Sequence, residues 1–201
     1  MPADTVTRMF LLAHLFAGLL IGLLLYLFFR DRSVILVCGL GGVLPDLIDK
    51  PIGHILLKGS FDYGRLYFHG IFVFLLIFIA GILFLRYYKT ALLLVLSIGI
   101  LSHQVLDAMW YNPVAWFYPL LGTYPKRYNP NFFEEAFWAQ LNNPSEWVFF
   151  IIAACLIALI YRHEVLKQIR AFRQWPLRRW LAILIPALIA VVALLVIMMP
   201  Y

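Results

Sequence analysis

His14, Asp46, Asp49, His69, His103 and Asp107 are ionisable residues set within four strongly apolar stretches of the chain. In hydrocarbon such a group costs roughly 2.5–3.5 kcal/mol or more unless it is paired, neutralised or bound to a cation. Three imidazoles and three carboxylates, with no thiolate, form a nitrogen and oxygen donor set suited to zinc, manganese or iron. His103 and Asp107 stand four residues apart, so a helix puts both on one face, where they can share an ion or bond to each other. Asp46 and Asp49 follow Gly39, Gly41, Gly42 and Pro45. That composition favours a broken or kinked helix at membrane depth, a common setting for ions and substrates. Two carboxylates there repel unless a proton or a cation intervenes. Taken singly, each residue has a plainer explanation: a core histidine with a satisfied hydrogen bond, or Asp49 salt-bridged to Lys50 or Arg65. The arrival of all six at one depth favours a metal site.

The elements that must position them are membrane helices. Of 201 residues, 64% are hydrophobic and 13% charged, and the mean hydropathy is +0.90, far above that of a soluble domain. Apolar runs at about 9–29, 34–57, 66–85, 91–110, 147–161 and 180–199 predict six transmembrane helices in an all-α, polytopic helical bundle. One integral membrane domain is expected over 1–201, with a metal-site core at 9–122, an outer interfacial segment at 111–146 and anchoring helices at 147–199. The first run exceeds the ~7–15 residue apolar core of a signal peptide and lacks a small-residue cleavage site, so it is expected to remain as the first helix. Cys38 and Cys155 lie inside apolar runs and form no redox or zinc-finger spacing. The net charge of +6 sits in short loops, which points to membrane orientation rather than to nucleic acid.

Counting helices assigns the loops to two sides. Arg30, Arg32, Arg86, Lys89 and the basic residues of 162–179 fall on one side, which the positive-inside bias makes cytoplasmic. The N-terminus and the six candidate ligands then lie toward the extracytoplasmic face, within about 5–15 Å of the boundary at 1.5 Å rise per residue. The remaining basic residues include Lys50, Lys58, Arg65, Lys126 and Arg127, several of them near the site and available to a substrate. Arg65 suits a bidentate grip on phosphate or carboxylate, though an interfacial snorkelling cation explains it equally; Lys50 has the same two readings. His54 stands two turns beyond Asp46, as a supporting partner of the site or an interfacial residue.

The segment 111–146 is rich in Trp, Tyr, Phe and Pro, as the headgroup level requires. Within it, Asn131 and Glu134 resemble a capping box, and Phe132, Phe133, Ala136, Phe137 and Gln140 outline a short amphipathic helix, either a lid or a simple connector. From 162 to 179, basic and apolar residues alternate, which suits a surface helix on anionic lipid.

The chain resembles the membrane-bound metal-dependent hydrolases, also described as LexA-binding, inner membrane-associated hydrolases. The marks are an early helical His14, PDLID over 45–49, GRLYFH ending at His69, and SHQVLD containing His103 and Asp107. The order is also similar to that of zinc-dependent phospholipase C, whose His, Asp, His and HxxxD ligands would fall on His14, Asp46, His69, His103 and Asp107. The family commonly carries PDxD and a stretch like HRGxTH. Here the second aspartate comes at Asp49, Gly64 replaces the first histidine, and Phe68 stands where threonine is usual. The phospholipase's later His and HxxxE ligands have no counterpart, so the resemblance implies one or two divalent ions rather than three. Nothing in these residues speaks to LexA.

The expected function is therefore metal-dependent hydrolysis of a phosphoester in a lipid or lipid-linked substrate, with zinc as the expected metal. Asp49 or Asp107 would bridge ions or act as general base, and Arg65, Lys50 and His54 would contact substrate. Two other classes remain open: a proton or metal-ion transporter using the same cluster, and a protein with a purely structural metal.

Overall fold

Glycine decides how closely the central helices of this protein approach. A computed structural model describes residues 11–173 and, beyond them, 176, 178–180, 182 and 184–186. Four helices carry the candidate site: α1 (Leu11–Phe29), α2 (Ser33–Pro51), α3 (Ile71–Tyr88) and α4 (Leu92–Leu106). α2 and α4 lie in the middle, with α1 packed on both and α3 on α4. A Cβ placed on Gly41 would come within 2.3 Å of the Leu96 carbonyl oxygen, and one on Gly99 within 2.3 Å of the Cys38 carbonyl oxygen. The two backbones therefore touch, the small-residue packing that substitutes for hydrophobic driving force in a membrane.

α2 contains Pro45 and Pro51 and runs on into one π turn, Ile52–Leu56, closed by a 2.8 Å bond from the Leu57 amide to the Ile52 carbonyl. Such turns recur at functional sites, and this one carries His54. α4 stops at Asp107, after which Ala108 takes a left-handed conformation (φ 48°), uncommon for a residue with a Cβ, and turns the chain away. Residues 57–70 connect α2 to α3 without regular structure and rest on a small core of Tyr63, Leu66, Met109, Ala115 and Tyr124. After the one-turn helix α5 (Pro113–Trp116) come α6 (Phe132–Leu141) and α7 (Pro144–Ile160), bent by 72° relative to each other.

The chain divides into two compact units, Met1–Ala153 and Ala154–Tyr201. The first holds the candidate site. The second contains the end of α7 and α8 (Arg162–Arg173), whose sequence alternates basic and apolar residues over three turns.

The described elements are all helical, as expected, but their spans differ. Among the described residues, α1 and α3 alone are long and apolar enough to cross a bilayer, with the bent α6–α7 pair as a third at most. α2 falls short because it carries three charged residues, Asp46, Asp49 and Lys50, and α4 because it ends after 15 residues. These residues therefore do not confirm the six-helix bundle, and most of the sixth run, 180–199, lies outside them. α3 begins at Ile71 rather than near 66, so His69 precedes the helix instead of riding its first turn. α6 begins as expected, yet Asn131 makes no side-chain capping bond and the capping box does not form.

Candidate metal centre

Asp49 organises the loop that delivers His69. Its Oδ2 accepts the backbone N–H groups of Leu66, Phe68 and His69 at 3.0, 2.9 and 3.0 Å, and His69 Nδ1–H at 2.8 Å. A carboxylate receiving four donors gathers the 66–69 turn around itself and fixes the ring, leaving His69 Nε2 as a lone pair. From the other side, Gln104 donates to the carbonyls of Phe68 and Gly70 at 3.1 and 3.2 Å while accepting the Trp116 indole N–H at 3.0 Å.

His103 is set in the same manner. Its Nδ1 lies 2.7 Å from the Gly42 carbonyl oxygen, which can only accept, so Nδ1 bears the proton and Nε2 the lone pair. Those two lone-pair nitrogens, His69 Nε2 and His103 Nε2, stand 3.1 Å apart. Two such lone pairs repel unless a cation lies between them. Asp46 Oδ1 completes a triangle, 3.6 Å from His69 Nε2 and 3.8 Å from His103 Nε2. A point in its plane lies about 2.0 Å from all three donors, within the ~2.0–2.2 Å of zinc–nitrogen and zinc–oxygen bonds.

His14 and Asp107 adjoin this triangle. His14 is fully buried and neither ring nitrogen has a hydrogen-bond partner, a costly state for an imidazole unless something else engages it. Its Nε2 lies 3.3 Å from Asp107 Oδ1, and its ring stacks on His103 at 4.1 Å between centroids. Two groups of donors are thus close enough to hold an ion: Asp46 with His69 and His103, and His14 with His103 and Asp107. The second oxygens of the carboxylates are taken by cations, Lys50 Nζ at 2.6 Å from Asp46 Oδ2 and Arg65 Nε at 2.9 Å from Asp107 Oδ2.

The protein thus brings five of the six expected ligands together and separates the sixth. Asp49 is in neither group: its Oδ2 is committed to the loop amides and to His69, and its Oδ1, buried without a hydrogen-bond partner, falls outside both donor sets. Its place is behind a ligand.

The two carboxylates of the centre, Asp46 and Asp107, line a cavity of about 520 Å³ together with Lys50, His54 and Arg65, while His14, His69 and His103 lie buried behind them. One side of α6, with Phe132, Ala136 and Gln140, covers the cavity, while Phe133, Phe137 and Trp138 face outward. Residues 9–199 match the family of the YdjM inner membrane protein. The chain belongs to that family. No curated protein matches the chain, and no solved structure does. Membership of the YdjM family, together with the apolar helices, makes this a membrane protein, and the buried His/Asp groups could hold a metal ion.

Gly64, the departure from the HRGxTH pattern, has a local reason in this YdjM-family chain. A Cβ at 64 would approach His54 Nε2 to 2.7 Å, so the His54 imidazole stands where a side chain at 64 would begin. His54 is itself held by Asp62, Nδ1 to Oδ1 at 2.8 Å, and stacks on Phe132 at 3.6 Å. Asp62 is buried, which raises its pKa, but the Asn129 amide and His54 outweigh burial and hold the carboxyl below its ordinary value.

Sequence reasoning did not single out Asp62, Gln104 or Glu146, and named Arg127 only among the basic residues available to a substrate. Glu146 is buried and accepts the Leu12 amide at 3.0 Å and the Gln140 side chain, so it joins α6 and α7 to the start of α1, one turn before His14. No spacing in the sequence announces these contacts, each of which spans loops or distant helices.

Proposed function

We propose that this YdjM-family protein is a metal-dependent membrane hydrolase that cleaves a phosphoester of a lipid or lipid-linked substrate. The observation that carries the reading is the 3.1 Å approach of two lone-pair imidazole nitrogens with Asp46 beside them, where Asp46 lines a cavity shared with Lys50 and Arg65. Asp46, His69 and His103 would hold the ion, with His14 and Asp107 adjoining. Both donor groups pass through His103, which has one free nitrogen, so the set favours one ion over two. Zinc fits the donors. A divalent ion there supplies Lewis-acid polarisation of a phosphoryl oxygen and lowers the pKa of bound water toward ~7.

The chain's own residues do the rest. Asp107 lines the cavity and is the carboxylate placed to accept a proton from the attacking water. Arg65 gives Nε to Asp107 and keeps its remaining N–H groups for phosphate oxygens, and Lys50 Nζ can contact substrate while paired to Asp46. Asp49 takes no direct part and holds His69 in its metal-binding tautomer.

The positive-inside bias supports an extracytoplasmic cavity, open to a substrate presented by the outer leaflet. Transport is the weaker reading: inward of the centre, α2 and α4 meet backbone to backbone at Gly41 and Gly99, which leaves no path between them.

Metal analysis of purified protein beside His103→Ala, paired with chelator-reversible hydrolysis of phospholipid in mixed micelles, tests the assignment. Wild type is expected to carry close to one zinc and the variant far less. Wild type lacking stoichiometric metal after purification with zinc present would sink it.

A further inference from the structure

The cavity reaches well beyond the centre. Asp46, Lys50 and His54 follow at four-residue intervals along α2 and its π turn, so His54 lies outward of Lys50, roughly 12 Å from Asp46 along the axis. Three side-chain cations line the walls: Lys50, Arg65 and Arg127. The first two are committed to Asp46 and Asp107. Arg127 has no carboxylate within ion-pair distance among the described residues, and its guanidinium lies 5.5 Å from the centre of the Tyr63 ring.

Two consecutive residues tie the backbone of 127–129 to the loop that holds His54. The Phe61 carbonyl accepts the Arg127 amide at 2.8 Å, and Asp62 accepts the Asn129 amide through one oxygen while holding His54 Nδ1 with the other. With Nδ1 bonded to Asp62, His54 offers Nε2–H to an anion as an imidazolium balanced by the Asp62 carboxylate, and the Arg127 guanidinium lines the same cavity. A built pairing of a free Arg and an oriented His is chemistry for phosphate oxygens.

We infer that His54 and Arg127 form an outer anion subsite that holds a second phosphate, so that the substrate is a lipid diphosphate rather than a monophosphate. The inference rests on the hydrolase reading of the centre, where Lys50, Arg65 and the ion take the inner phosphate. Arg127 is exposed, and its replacement leaves the helices and the ligands in place.

Binding of dodecyl phosphate and dodecyl diphosphate to zinc-loaded, detergent-solubilised full-length protein tests it, by calorimetry with metal content measured for each sample. Wild type is expected to bind the diphosphate at least tenfold more tightly. Arg127→Gln and His54→Gln are each expected to remove most of that preference while leaving monophosphate affinity within twofold. Equal affinity of wild type for the two probes would overturn the inference, as would Arg127→Gln weakening both alike. A preference for a dodecyl sugar phosphate over the diphosphate would also overturn it, by assigning the outer site to a sugar. Turnover separates this from the broader reading. Diphosphate preference without hydrolysis of either probe would retain the subsite and discard the hydrolase, whereas hydrolysis without preference would do the reverse.

Discussion

Replacing Asp49 by asparagine separates a residue that binds an ion from one that aims a ligand. Oδ2 of Asp49 receives four N–H donors at 2.8–3.0 Å. A hydrogen bond to a charged group contributes about 1.5–3 kcal/mol and a neutral one about 0.5–1.5, so neutralising the acceptor removes about 1 kcal/mol per contact. Four donors sharing one oxygen are not additive, and the expected loss of stability is roughly 2–3 kcal/mol. A neutral amide at this position would also hold the His69 ring less firmly, and substitutions behind a metal ligand typically weaken metal affinity by about 10–100-fold. Zinc affinity by chelator competition, with thermal unfolding in the same detergent, reads both effects, and Asp46→Asn provides the comparison. Asp49→Asn is expected to retain one zinc at saturating metal with affinity reduced in that range, while Asp46→Asn loses far more. Unchanged affinity and melting in Asp49→Asn would refute the reasoning. So would a loss as complete as that of Asp46→Asn, since Asp49 would then be a direct ligand.

Other expectations follow from the same contacts. Gly99→Ala puts a methyl 2.3 Å from the Cys38 carbonyl oxygen, so α2 and α4 must part; a loss of about 1–3 kcal/mol in thermal unfolding is expected, with weaker zinc binding because His103 is one turn further on. Gly64→Ala is expected to displace His54 from Asp62, read as loss of the hydrogen-bonded Nδ1 proton in histidine-selective NMR, with a loss of about 1–3 kcal/mol in thermal unfolding because the buried carboxylate loses a donor. Chelation of the metal is expected to lower the melting temperature, and zinc to restore it. At a zinc concentration 1,000-fold above Kd the difference is about 4 kcal/mol, and no difference would argue against a site preformed in the folded state.

The sequence by itself determined the donor set. Apolar runs interrupted by His14, Asp46, His69, His103 and Asp107 could be read without coordinates, because burying ionisable groups in a membrane is too costly to occur at random. The glycines before Asp46 suggested a broken helix, whereas α2 runs as one α-helix from Ser33 to Pro51 and Gly41 serves its close packing on α4. Tertiary structure alone decided which donors meet. Asp49 differs from Asp46 by three residues on the same helix, yet only the path of residues 66–69 commits it to loop amides instead of to the His69–His103 pair of nitrogens. The pairing of Lys50 with Asp46 and of Arg65 with Asp107, the filling of the Gly64 position by His54, and the tie of the 127–129 backbone to the loop that holds His54 arise where the chain folds back on itself. Local spacing encodes which residues share a helix face, whereas the hydrogen bonds that select a tautomer or commit an oxygen depend on how separate segments close around one another.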